Sequence, residues 1–66
     1  MALGRAIFDD NLIEIDPRQT PREWLGTLVH EALHLAYPDM PEKEIARGEK
    51  KIADTLWKAR VRRIHQ

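Results

Sequence analysis

A chain of 66 residues has room for one small domain, spanning residues 1–66, and buries only roughly 60% of the surface its unfolded form exposes. It has no cysteine, which excludes disulfides and thiolate metal sites and leaves a metal ion or self-association as the staple for so thin a core. The 11 Lys and Arg balance the 11 Asp and Glu, so no bulk charge draws the chain to nucleic acid or an anionic membrane, and no apolar run approaches the ~18–20 residues that span a bilayer.

From Arg5 to Ile15 the chain reads as a β-hairpin. Ile7 and Phe8 form one apolar run, and Leu12, Ile13 and Ile15 form another; Ile13-Glu14-Ile15-Asp16 alternates with the period of a half-buried strand. Asp9-Asp10-Asn11 between the runs is turn chemistry, because Asp and Asn tolerate a left-handed backbone and bond to it locally. Two strands alone are marginal in water, so the hairpin must pack on something else.

The first helix has a clear start. Thr20, Pro21 and Glu23 make a capping box with proline at the first helical position. Trp24, Leu25, Leu28, Val29, Ala32, Leu33, Leu35 and Ala36 then put apolar residues on more than one face, which predicts a largely enclosed helix ending near Tyr37, before Pro38. A second helix follows Pro38-Asp39-Met40-Pro41, with Asp39 as candidate cap paired to Glu42, and Ile45, Ile52, Ala53, Leu56 and Trp57 as its inward face. A connection this short predicts antiparallel helices. The expected class is therefore α+β, a short N-terminal β-hairpin packed on an antiparallel two-helix hairpin. Near the end, Lys58, Arg60, Arg62 and Arg63 hold four of the 11 cations. They read as a solvated helix end that suits the negative pole of the helix dipole, with a partner- or nucleic-acid-contacting tail as the rival reading.

The first helix carries His30-Glu31-Ala32-Leu33-His34. Residues four apart project from one helical face, so two imidazoles can reach one Zn²⁺ at roughly 2.0–2.1 Å. Glu31, beside the first ligand, is placed to take a proton from water at the metal during attack on a carbonyl and to return it to the leaving amine. A five-residue His-Glu-x-x-His pattern arises about once in several hundred random chains of this length. Here it stands on a capped helix among Val29, Ala32, Leu33 and Leu35, where two imidazoles would otherwise need separate polar partners.

A catalytic zinc site takes three protein ligands and keeps one position open. His65, the remaining histidine, reads as a frayed-terminus residue. Glu42 and Glu49 both fall near the middle of the second helix's inward face, whereas Glu44 points away. Helix level favours Glu49, close to the height of His30; Glu42 lies nearer the turn beside His34 and is also wanted by the second capping box.

The segment TLVHEALHLAYPDMPEKEIARGEKKIADTLWKA resembles a group of small phage and bacterial HExxH proteins, gluzincin-like metallopeptidases, in which a ligand helix of the form HExLHA is followed by a short turn and a second helix closing on a Leu-Trp pair. The stretch IEIDPRQTPREWLGTLVHE is similar to them too, so the likeness runs from about Leu12 to Ala59. It implies a minimal zincin-like domain with Zn²⁺ on His30 and His34, Glu31 as general base, and Glu42, the acidic residue recurring at the start of the second helix, as third ligand with Glu49 behind it. Leu35 departs from the pattern, which usually has Ala there. Gly48 departs too, costing about 1 kcal/mol relative to Ala in mid-helix unless close helix contact uses it.

The expected function is a zinc-dependent metallopeptidase acting on a peptide or protein substrate, with the strand around Leu12–Ile15 as a candidate edge for holding an extended peptide. Tyr37, Arg18 and Arg22 are the candidate oxyanion donors. The alternative is a non-catalytic zinc-binding or interaction module that retains the motif. So little chain offers few walls for a cleft, so an active form is expected to be a homo-oligomer or to use a partner subunit. Met1-Ala2-Leu3-Gly4-Arg5 lacks the basic-then-apolar pattern of a secretory signal, and the expected compartment is the cytoplasm, that of the host cell if the protein is phage-encoded.

Overall fold

The computed structural model of the chain describes residues 4–7 and 9–64, with side chains as far as residue 59. Phe8, His65 and the side chains of Arg60, Arg62 and Arg63, which figure in the sequence reading, lie outside the described residues.

Strands β1 (Gly4–Ile7) and β2 (Leu12–Ile15) pair antiparallel, Gly4 opposite Ile15 and Ile7 opposite Leu12. Asn11 closes the turn with φ 51°, the left-handed backbone its short polar side chain tolerates. The period-two pattern holds: Ile13 and Ile15 are half-buried, while Leu12 and Glu14 are exposed. On the outer face Glu14 forms an ion pair with Arg5, its cross-strand neighbour.

Asp16 anchors the passage from strand to helix. Its Oδ1 accepts from the Arg18 backbone N–H at 2.9 Å and from Nε at 3.0 Å, and its Oδ2 accepts from Nη2 at 2.7 Å. These bonds hold its pKa down, from 3.8 to about 2. A carboxylate whose pKa is depressed in the folded state contributes stability above its ordinary pKa and loses it as pH falls through the folded one. Between pH 4 and pH 2 the urea midpoint should therefore fall more steeply for the natural chain than for Asp16→Asn; parallel curves would show that Asp16 carries no such linkage.

Helix α1 (Pro21–Ala36) starts as its sequence requires. Thr20 is extended and accepts from the Glu23 N–H, and the Glu23 side chain returns a bond to the Thr20 N–H, a reciprocal cap contributing about 1 kcal/mol. The helix closes with the Tyr37 N–H on the Leu33 carbonyl, and a turn follows in which the Met40 N–H reaches the Tyr37 carbonyl. That turn changes the expected start of helix α2 (Glu42–Ile64). Asp39 lies inside the turn, and the Pro41 carbonyl takes the first helical bonds, from Glu44 and Ile45. Asp39 is thus not the cap, and Glu42, the first helical residue, has no capping role to compete for it.

The two helices run antiparallel. As α1 advances from Arg22 through His30 to His34, the α2 residues it meets retreat from Asp54 through Glu49 to Glu42. Gly48 is the close contact that a mid-helix glycine needs, since a Cβ there would stand 3.2 Å from Leu33 Cδ1. Gly4 has the same role at the other interface, where a Cβ would come within 2.6 Å of Thr27 Cγ2.

Among the described residues α2 touches α1 and not the hairpin, so α1 is the central element. Helical rotation puts the α1 residues that meet α2 (Arg22, Gly26, His30, Leu33) about a third of a turn from those that meet β1 (Thr27, Glu31). Helix α1 is therefore covered on two adjacent sides rather than enclosed: Trp24, Ala32 and Ala36 are exposed. The expected inward face of α2 is narrowed for the same reason. Ile45 and Ala53 are buried and Trp57 half-buried, but Ile52 and Leu56 are 41% and 46% exposed, because a helix with one neighbour buries one seam. No helix among the described residues is long and apolar enough to cross a membrane.

Candidate metal centre

The α1–α2 seam ends in a polar cluster. His30 and His34 project from α1 one turn apart, their ring centroids separated by 5.0 Å in an edge-to-face arrangement. Glu42, in the first turn of α2, reaches both: its Oε1 is 2.6 Å from His30 Nε2 and its Oε2 is 3.2 Å from His34 Nε2. One donor atom from each of the three residues lies within 4.8 Å of the others, a group that can hold a metal ion. Glu42 arrives there because the 37–40 turn is short and α2 begins at once after Pro41, directly across from the C-terminal end of α1.

Glu49, one helical stretch further along α2, lies on the other side of His30. The Nδ1 of the ring stands 2.8 Å from its Oε1, within hydrogen-bond distance. Helix level correctly brings Glu49 to the height of His30, but to the nitrogen that faces away from His34 and Glu42. The ring is thus held between two carboxylates. Partial burial acts to lower the His30 pKa, and it is outweighed by hydrogen bonds from Glu49 and Glu42 and by their charges, so the net shift is upward from 6.5.

Glu31 points along the sheet side of α1. Its Cγ would be 3.4 Å from a Cβ on Gly4, the first residue of β1, and it is half-buried. Among the described residues its carboxylate has neither hydrogen bond nor ion pair, so it is uncommitted. The three residues of the motif together sweep from the α2 side of α1 to the hairpin side, with His34 between.

The other residues singled out in the sequence are elsewhere or engaged. Arg18 is bound to Asp16, and Arg22 Nη2 donates to Asp54 Oδ1 at 2.6 Å, so neither guanidinium is free to serve an oxyanion. Tyr37 is exposed at the end of α1, beside an apolar hollow with Pro38, Met40 and Pro41. The sequence reading missed Gly26. It is buried in the interior of α1, one turn before His30, and a Cβ there would stand 3.2 Å from Glu49 Oε2. The signal was present: a glycine inside a helix costs about 1 kcal/mol relative to Ala, and its spacing from His30 marks it as part of the same face. Comparison of the chain with protein-family models, with curated proteins and with solved structures gives no match.

Proposed function

We propose that the chain is a zinc-dependent metallopeptidase of the gluzincin-like HExxH type, with His30, His34 and Glu42 as ligands and Glu31 as general base. The observation that carries this reading is the convergence of the three donor groups from two helices while the Glu31 carboxylate stays uncommitted. The donor set fits zinc. Two imidazoles and a carboxylate are its usual nitrogen and oxygen ligands, and bonds of roughly 2.0–2.1 Å in a tetrahedral arrangement want donors about 3.3 Å apart. The Glu42 oxygens stand at 2.6 and 3.2 Å from their imidazole nitrogens, and one donor atom from each residue lies within 4.8 Å of the others, so side-chain adjustment would bring the three to that spacing.

When bound, the ion supplies Lewis acidity that acidifies water and polarises a carbonyl. The protein's own residues do the rest. Glu31 takes the proton of the attacking water and delivers it to the leaving amine, a transfer it is free to make because no group among the described residues holds its oxygens. The first residue of strand β1 lies against Glu31, which makes the outer edge of β1 a candidate, beside the Leu12–Ile15 strand, for aligning an extended peptide. A second copy or partner subunit would have the exposed Ile52 and Leu56 of α2 to cover.

A second reading is favoured by the small core, in which Val29, Ile45 and Ala53 are the buried hydrophobic residues among those described. There the ion serves chiefly to pin α2 to α1, as structural zinc does in small domains. The two differ in the fourth position, which a catalytic site leaves to water. Incubating unstructured peptides with zinc-loaded protein and following cleavage by mass spectrometry separates them. Cleavage that stops with chelator and returns with zinc is the expected result; intact peptides at every zinc concentration would leave only the structural role.

A further inference from the structure

We propose that Glu49 is the positioning residue of the metal centre, a carboxylate that holds the proton on His30 Nδ1 and so reserves Nε2 for the ion. This rests on the metal-site reading above and adds to it the residue that sets the ligand's orientation. Two independent observations carry it. The first is the 2.8 Å contact between Glu49 Oε1 and His30 Nδ1, on the opposite edge of the ring from Glu42 and His34. An imidazole's two nitrogens point away from each other, so an ion on Nε2 is out of reach of a carboxylate on Nδ1, and Glu49 orients the ligand without being one. The second is Gly26. Its missing side chain opens the space in α1 that Glu49 Oε2 occupies, and a Cβ would meet that oxygen at 3.2 Å.

The chemical need is specific. A neutral imidazole carries its proton on one nitrogen only, and a ligand histidine must keep the metal-facing nitrogen bare. An acceptor on the far nitrogen selects that tautomer, locks the ring plane and raises the basicity of the coordinating nitrogen. Glu42 Oε1, 2.6 Å from Nε2, favours a proton there in the metal-free protein, so without Glu49 the Nε2–H form gains and more of the population presents a proton to the ion. His34 has no corresponding carboxylate on its other nitrogen among the described residues, so the burden of preorganisation falls on His30.

The test joins a measurement on the natural protein to a pair of variants. In ¹⁵N-detected spectra of zinc-loaded protein, His30 should bind the ion through Nε2 and keep its proton on Nδ1; coordination through Nδ1 would overturn the proposal without any variant having to fold. Glu49→Ala should weaken zinc binding by roughly 10- to 100-fold in a competition titration and shift His30 toward the Nε2–H form. Glu49→Gln, which keeps an acceptor oxygen, should restore the tautomer and recover most of the affinity. X-ray absorption of zinc-loaded Glu49→Ala should show the same number of protein ligands as the natural protein, whereas Glu42→Ala should lose one. Loss of a ligand in Glu49→Ala would make Glu49 a coordinating residue, and unchanged affinity with unchanged tautomer would make it a bystander; either outcome sinks the proposal. Absence of zinc binding in the natural protein would instead remove the metal-site reading, and the proposal with it.

Discussion

Zinc in a hundredfold excess over its dissociation constant should raise the melting midpoint of this protein by about 10–20 °C. The size follows from linkage and from chain length. Binding to the folded state alone at that excess stabilises it by about 2.7 kcal/mol. For a domain of this size each kcal/mol moves the midpoint by about 4–8 °C. Only the folded state presents the donors as a group: His30 and His34 come from α1 and Glu42 from α2, and they meet when the two helices pack against each other across their short turn. Glu42→Ala should abolish most of the increment, since it removes the only α2 donor of the cluster. Identical melting curves in zinc and in chelator would remove the metal centre altogether.

The pH dependence gives this result a second signature. His30 has a pKa raised above 6.5, chiefly because the hydrogen bonds of Glu49 and Glu42 overcome the downward effect of its burial. A group with a raised folded pKa stabilises the metal-free protein in full below its unfolded pKa and loses that contribution as pH rises through the folded one. Zinc requires the bare nitrogen, so its binding improves across the same window. From pH 6 to pH 8 the metal-free midpoint should therefore fall while the increment given by zinc grows. A zinc increment that shrinks with pH would point to ligands other than the histidines.

How much of this was legible in the residues differs between the two helices. Helix α1 announces itself locally, through Thr20, Pro21 and Glu23, and those residues do what their spacing implies. The pair His30 and His34 follows from helical geometry alone. The third position could not be read the same way, because it depends on where α2 starts, and that depends on a turn. Asp39 resembles a cap in sequence, yet the Met40-to-Tyr37 bond absorbs it into the turn and leaves Glu42 as the first residue of the helix. The family resemblance pointed to Glu42 where helix level pointed to Glu49, and the structure gives each carboxylate a different nitrogen of His30. Periodicity likewise marks Ile52 and Leu56 as apolar, but the sidedness of α2 depends on its having one neighbour instead of two, which is a property of the assembled layers.

Glu31→Gln should lower peptide cleavage by at least about a hundredfold and leave the zinc-induced rise in melting midpoint unchanged. A positioned general base is worth typically 10²–10⁴ in rate, and glutamine keeps the shape of glutamate while losing the ability to take a proton. The surroundings favour a clean substitution: the side chain is half-buried, lies against the open Cα face of Gly4, and breaks no hydrogen bond or ion pair of the described residues when its charge is removed. It also lies outside the His30, His34 and Glu42 group, so metal affinity has no reason to change. The two readouts together are decisive where either alone is not. Lost cleavage with lost zinc stabilisation would mean that the substitution had damaged the site, and a Glu31→Asp variant with the zinc increment intact would then have to show the same loss of rate. Full cleavage by Glu31→Gln with zinc still bound would remove Glu31 from the chemistry.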